Sequence, residues 1–471
     1  MKKVFISFLA AALALLPTVA RAQTEEEIRN KIMQDLKPWI EQEVQRRVKE
    51  ALEAAKTSAP PASVTAPAPT ESAATPGKSK LTEQLAKELS GQSAFPPMSN
   101  KPITLFSGGG SYANLSLDVL GLAGISSRAD VSRIDPGGAN QRGFELQEAE
   151  VFIDGAVDPY FYGAGNFSFG IDENGDTSVD IEEAYLRTTS LPWNLQVLAG
   201  QYKTAFGRLN LQHTHMWDFV DPSLVNARFL GTDGLRNPGV QISWLAPTPF
   251  YTAAYLSVQD SQGGTASSFL GSSGDVLFGR TLEDRRLRSA GDLLYVPRIA
   301  SSFDLSDEQT LTLGASAAFG PNSSGTDTRT QIYGVDAYWK WKPANAGAWP
   351  FVKWQTEAMW RRYEAGADTA AGLPAETLND WGAYSQLVWG FHQGWTAALR
   401  GDYVSGDHGA FEPDPDRDQR WRISPALTWY LSEFSKLRFQ YNFDEIDHFG
   451  QANSVWMQFE FVLGAHGAHP Y

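Results

Sequence analysis

The sequence predicts an all-β fold, a transmembrane antiparallel β-barrel of about sixteen strands preceded by a helix and a linker. Three observations predict it. Between residues 113 and 463 the chain is a succession of runs in which apolar and polar positions alternate. The runs are ~10 residues long, the length a tilted strand needs to cross a bilayer. Their apolar faces are large and aromatic, unlike the wet side of a soluble sheet, which alternation alone also fits. The connections alternate short (158–159, 190–193, 246–249, 305–308, 393–394, 432–434) and long (125–143, 204–237, 260–291, 365–377, 406–418). Short turns on one side of a membrane and long loops on the other produce that pattern.

The elements follow in chain order. Residues 1–22, MKKVFISFLAAALALLPTVARA, read as a secretory signal peptide. Lys2 and Lys3 give the positive start, an apolar core follows, and Ala20-Arg21-Ala22 supplies the cleavage site. The apolar run is too short to span ~30 Å of hydrocarbon, so export without a membrane helix is expected. In 23–56, Ile28, Ile32, Leu36, Val44, Val48 and Leu52 recur at helical spacing on a charged background. So narrow a stripe suits a coiled coil; the other reading is a lone helix lying on another domain. Pro38 breaks or kinks the helix. Residues 57–100 form a Pro/Ala/Ser-rich linker with one short helix near 81–89. The barrel domain is 101–471.

Its strands are expected near 113–124, 145–157, 160–171, 179–189, 194–203, 238–246, 249–259, 292–304, 309–320, 329–342, 350–363, 378–392, 394–405, 419–431, 435–445 and 453–463. In the fourteenth, Trp421, Ile423, Leu427, Trp429 and Leu431 face one way and Arg422, Ser424 and Thr428 the other. Trp339, Trp341, Trp395, Trp429 and Tyr430 sit near strand ends, where membrane girdles place aromatics. An even count puts both barrel ends on the periplasmic side, with the N-terminal segment in the periplasm. About sixteen strands also leave an aqueous lumen.

Composition excludes several functions. The chain of 471 residues has no Cys, so disulfides and thiolate chemistry are out. A formal net charge of −15 argues against nucleic acid as a partner. No GxSxG elbow or phosphate cradle occurs, so no catalytic residue and no cofactor is expected. The acidic stretch IDENGDTSVD (171–180) reads as a loop tip. The metal candidates are weak ones. His213 and His215 would share a face on an extended chain, with Asp218 or Asp221 as further ligands, and His466 and His469 lie in the tail. Polar lining and a solvated tail are the competing readings.

The segments EAEVFIDGAV, IEEAYLR, LQVLAGQYKTAFGRLNL and GVQISW occur in this order within 144–244. In this the chain resembles the phosphate-selective porin O/P family. The resemblance implies a sixteen-stranded trimeric barrel whose third long loop, 204–237 here, folds inward and narrows the lumen. It implies passive diffusion of small hydrophilic solutes or ions. The residues expected at the constriction are Lys203, Arg208, Asp218, Asp221, Arg228, Asp233 and Arg236. Strand alternation adds Glu148, Glu150, Lys340, Lys353, Arg361, Arg400, Arg422 and Arg438 as lumen lining. The family's arginine ladder does not carry over, because Glu148 and Glu150 face the lumen where an anion channel would place bases. Opposite charges on neighbouring strands can equally pair and brace the inner wall. Expected partners are outer-membrane lipid, permeating solutes or ions, two further copies of the chain, and the cell wall through the N-terminal helix. The alternatives are a metal-linked outer-membrane receptor or transporter and an envelope-tethering structural barrel.

Overall fold

The computed structural model describes residues 103–171, 175–344 and 349–464. The segments expected as signal peptide, coiled-coil helix and linker, with His466 and His469, lie outside them. Among the described residues, sixteen strands close into one antiparallel barrel. They are β1 (Ser111–Ser126), β2 (Gly143–Ala156), β3 (Phe161–Ile171), β4 (Thr177–Thr188), β5 (Leu195–Lys203), β6 (Arg236–Leu245), β7 (Tyr251–Gln259) and β8 (Leu294–Ser306). The second half is β9 (Gln309–Pro321), β10 (Arg329–Trp341), β11 (Phe351–Ala365), β12 (Glu376–His392), β13 (Trp395–Gly406), β14 (Arg420–Ser432), β15 (Ser435–Ile446) and β16 (Gly450–Leu463). Every strand pairs with its neighbours in sequence, and β16 pairs with β1 from Ser454↔Ser126 to Leu463↔Leu117. That closure removes the sheet edges a bilayer cannot tolerate.

The pleat sorts side chains between lipid and lumen. Leu387, Trp389, Leu399, Ile423, Leu427, Phe439, Val455 and Phe459 are exposed on the outside. Their neighbours Gln386, Arg400, Ser424, Gln440 and Gln458 are buried on the inside. Trp395 and Trp429 stack at 5.5 Å with an interplanar angle of 5°, beside the short turns at 393–394 and 433–434. A charge on the outer face has no water to solvate it. Leu399→Arg should therefore destabilise the folded barrel by about 2–4 kcal/mol if the site lies at the bilayer midplane. Urea titration of the barrel refolded into lipid vesicles measures this.

The alternation did not reveal a seventeenth strand. Residues Ile103–Gly108 fold back on β1, pairing Ile103↔Leu115 to Gly108↔Ser111. The turn is Gly109-Gly110, both with positive φ (65° and 89°), which suits a two-residue hairpin whose twist matches its strands. This strand lies on the same edge of β1 as β16 and covers the stretch beyond β16's last partner, Leu117.

Two bulges alter the inner face of β1–β4. Between β3 and β4 the register steps from Asn166↔Glu183 to Phe167↔Ile181, leaving Glu182 as an extra residue. Between β1 and β2 it steps from Leu120↔Glu148 to Gly121↔Leu146, leaving Gln147. A bulge suspends strict alternation, so Glu182 and Glu183 are both buried on the inner side.

Candidate functional site

The site begins with the loop between β5 and β6, residues 204–235. It is not a polar excursion. Phe206, Leu209, Trp217, Phe219, Val220, Leu224, Val225, Phe229, Leu230 and Leu235 are all buried. A loop with so much apolar surface gains by leaving water, and the inner wall offers it a floor. Val296, Ile332, Met359, Tyr384 and Val404 join these loop residues, apart from Phe219 and Val220, in one cluster; Val220 belongs to a second, with Leu122, Val131 and Trp456. Gly334 makes room for Phe206, since a Cβ there would lie 2.8 Å from its Cε1. One helix, α1 (Leu224–Leu230), organises the middle of the loop, with Ser223 at its N-terminus accepting from the Asn226 amide and Gly231 (φ 94°) ending it. The apolar residues at inward positions of β8, β10, β11 and β13 were the sequence signal for this seat. An inner wall that carries Val and Ile must be covered by something.

Polar contacts fix the loop on two arcs of the wall. On the arc β11–β15 the wall is basic. Arg400 Nη2 donates to Asp221 Oδ1 at 2.8 Å and Arg400 Nη1 to the Asp221 carbonyl at 2.9 Å. Arg422 pairs with the other Asp221 oxygen, with Asp444 at 2.9 Å and with Asp135 at 2.8 Å. Arg438 donates to the carbonyls of Trp217 (2.6 Å) and Phe219 (3.0 Å). Arg361 pairs with Asp380 at 2.6 Å and donates to the Arg228 carbonyl at 3.3 Å. Burial alone would raise the carboxyl pKa of Asp221, but Arg400 and Arg422 outweigh it and hold that group below its usual value. Arg361, Arg400, Arg422 and Arg438 are each at most 2% exposed. These four bases are buried against the loop, with their charge committed to it and to neighbouring carboxylates.

On the arc β1–β4 the wall is acidic: Asp118, Glu148, Glu150, Glu182 and Glu183 are buried there. His213 points into this cluster, with Nδ1 2.7 Å from Glu182 Oε2 and Nε2 3.0 Å from Glu183 Oε2. His215 Nδ1 lies 3.1 Å from Glu150 Oε2, and its ring stacks on His213 at 5.8 Å. Lys436 donates to the His215 carbonyl at 2.6 Å. Asp218 and Asp221, the further ligands suggested by spacing, are elsewhere. Asp218 pairs with Lys353 at 2.6 Å, and Asp221 holds the arginines. This corrects the sequence expectation. The carboxylates near the histidines come from strands far away in sequence, which no local spacing reveals.

The other expected residues fall as follows. Lys203 is buried, 3.8 Å from Glu182. Arg236 opens β6 and pairs with Glu182 at 2.6 Å and with Asp180. Arg208 donates to Gln355 Oε1 at 3.2 Å and lies 3.9 Å over the Tyr338 ring. Arg228 reaches the Asp418 carbonyl at 2.7 Å, and burial pushes its pKa down to about 10. Asp233 is exposed. Lys340 lies at the turn end of β10, opposite Lys353 in register.

Cavities flank the loop. One of about 520 Å³ is lined by Arg187, Lys203, Leu211, Leu245 and Tyr251; the last two adjoin a short turn. Another of about 320 Å³ is lined by Pro136, Gln147, Glu148, Thr214 and Asp233, and one of about 430 Å³ by Arg133, Arg228, Phe278 and Pro415. These last two open among the long loops.

No family profile matches the chain. It is 33% identical over 353 residues to an uncharacterized protein of Aquifex aeolicus (strain VF5), covering 70% of this chain and 71% of that one. Among solved structures it is similar to the outer membrane channel DcaP of Acinetobacter baumannii, with a TM-score of 0.53, 14% identity and coverage of 76% of this chain and 99% of that one. That likeness bears on the fold. OmpT, an outer membrane protein of Vibrio cholerae, aligns over 76% of this chain and 99% of its own with a TM-score of 0.48 and 6% identity.

Proposed function

We propose that this chain, which belongs to the same family as the uncharacterized Aquifex aeolicus protein, is a passive channel of the bacterial outer membrane for small hydrophilic solutes or ions. It carries out no chemistry on them. The observation that carries this reading is the loop 204–235 lying on the inner wall of a closed barrel, with cavities toward the short turns and toward the long loops. In this reading the loop sets the size limit. Solutes enter the cavities on either side of segment 211–214, where Glu148 and Asp233 line one and Arg187, Glu183 and Lys203 the other.

Selectivity follows from which charges remain available. The arginines of β11–β15 are held by carboxylates and carbonyls of the loop and wall. On the route itself, carboxylates outnumber bases. Rings and clusters of carboxylates favour cations, so the channel prefers cations to anions. The phosphate preference of the family it resembles is not part of this proposal. The trimer and the cell-wall contact through residues 23–56 stay within it, as expectations from sequence.

The test is purified protein in a planar bilayer across a KCl gradient. Stepwise conductance is expected, with a reversal potential of the sign that marks K⁺ as the more permeant ion. A silent barrel overturns the channel reading. Conductance with the opposite sign overturns the selectivity and leaves the channel.

A further inference from the structure

The cluster under the loop has the makings of a metal site. His213 Nδ1, Glu182 Oε2 and Glu150 Oε1 converge from the loop, β4 and β2, with Nδ1 2.7 Å and 3.6 Å from the two carboxylate oxygens. The three ligand atoms all lie within 4.8 Å of one another. Bonds of about 2.0–2.2 Å to one tetrahedral ion put ligand atoms about 3.3–3.6 Å apart, so Nδ1 and Glu182 Oε2 open slightly, and any wider separation closes, as the ion enters.

Three further observations point to a cation. First, the second nitrogen of His213 is engaged as metal-binding histidines usually are, with Nε2 3.0 Å from Glu183 Oε2. A carboxylate there fixes the tautomer that leaves the Nδ1 lone pair for a metal. Second, Asn166 is fully buried, and its amide nitrogen sits 3.1 Å from Nδ1 and 3.3 Å from Glu182 Oε2. Its Oδ1 has no hydrogen bond among the described residues. The two amide atoms interchange by a flip, which turns that oxygen onto the same point as a fourth ligand. Third, the charge does not balance. Five carboxylates are buried on this arc against two permanent cations, Lys203 and Arg236. The near partners of Glu150 and Asp118 are the imidazoles of His213 and His215, at 3.1–3.7 Å. Buried carboxylates crowded in this way favour a bound cation.

We propose that His213, Glu150, Glu182 and Asn166 form a binding site for one divalent transition cation. One nitrogen and three oxygens suit an ion of the Zn²⁺ type over Ca²⁺, which takes six to eight oxygens. The ion joins residues 211–215 to β2 and β4, opposite the arginine clamp. The site stands whether or not the barrel conducts.

The experiment uses the full-length folded barrel, stripped with a chelator and titrated with Co²⁺. His466→Ala and His469→Ala are introduced together in a parallel chain to remove tail binding. The expected result is one equivalent of Co²⁺ with a tetrahedral ligand-field band, displaced by Zn²⁺ and retained in the tail variant. His213→Ala should lose it. Glu183→Gln, which keeps all four ligands, should bind about 10–100-fold more weakly. Asn166→Asp adds a charge to the ligand set and should bind more tightly, which a purely structural hydrogen-bond cluster does not predict. Heat-modifiable migration on a gel confirms that each variant is folded. Should His213→Ala not fold, the Glu183→Gln and Asn166→Asp affinities decide. The proposal falls if the stripped barrel shows no saturable Co²⁺ binding, if binding disappears with the tail histidines, or if Asn166→Asp and Glu183→Gln bind as the unaltered chain does.

Discussion

Asp221→Ala is expected to free the middle of the loop and raise single-channel conductance. Asp221 is fully enclosed and meets Arg400 at 2.8 Å, Arg422, and the Gln440 amide at 2.8 Å. Removing one partner of a buried ion pair costs about 3–5 kcal/mol, because the charges left behind lose their counter-charge. Here Asp402, Asp135 and Asp444 still attend the two arginines, so the lower end, about 3 kcal/mol, applies. That shifts the balance between seated and released loop by about a hundredfold. Larger and noisier conductance steps are expected, with the barrel still resistant to heat. Unchanged steps would mean that Asp221 does not hold the loop. The pH dependence has a definite sign. The folded carboxyl is held below its ordinary value, so its contribution is present above the ordinary carboxylate range. It is lost only as pH falls through the lower folded value. Acidification from pH 7 to about 5.5 should therefore leave this contact intact.

Phe206→Ala should loosen the other leg of the loop. Its ring is completely buried over Gly334 and packs in the cluster with Ile332 and Met359. Emptying such a site costs about 3–5 kcal/mol in lost burial and residual cavity. Nearby polar contacts resist the release: the Gly207 amide donates to Ser316 Oγ at 3.1 Å and the Leu209 amide to Glu357 Oε1 at 2.7 Å. The strands make their own hydrogen-bond ladders, so the barrel should survive. Limited trypsin digestion gives the readout. Cleavage after Arg208 should appear in the variant and be slow in the unaltered chain. Equal protection in both would show that Phe206 does not hold the leg in place.

Most of the barrel was legible in the sequence. The strand expected at 145–157 is Gly143–Ala156, and the one at 453–463 is Gly450–Leu463. Lipid outside and polar lumen inside impose alternation with period two, and every strand must be long enough to cross the same bilayer. The hairpin strand Ile103–Gly108 escaped because it covers a free edge and crosses nothing. Parity also separates the charges from the lipid-facing positions: Glu148, Glu150, Arg400 and Arg422 are all buried.

What those residues do inside was not legible. Alternation assigns a face to a side chain and gives no distance to anything across the lumen. Asp221 meets Arg400 and Arg422 across 179 and 201 residues of chain, and His213 reaches Glu182 across 31. Such contacts exist only once closure fixes which strands face the loop. The bulge at Glu182 shifts the parity on which a sequence reading depends. Alternation and loop lengths specify a closed membrane barrel, its strands and its long third loop, because a bilayer leaves the backbone few other solutions. Where that loop rests follows from the closed fold alone. Its apolar residues needed a seat, the inner wall supplied one, and the charges then sorted into a basic clamp and an acidic pocket around it.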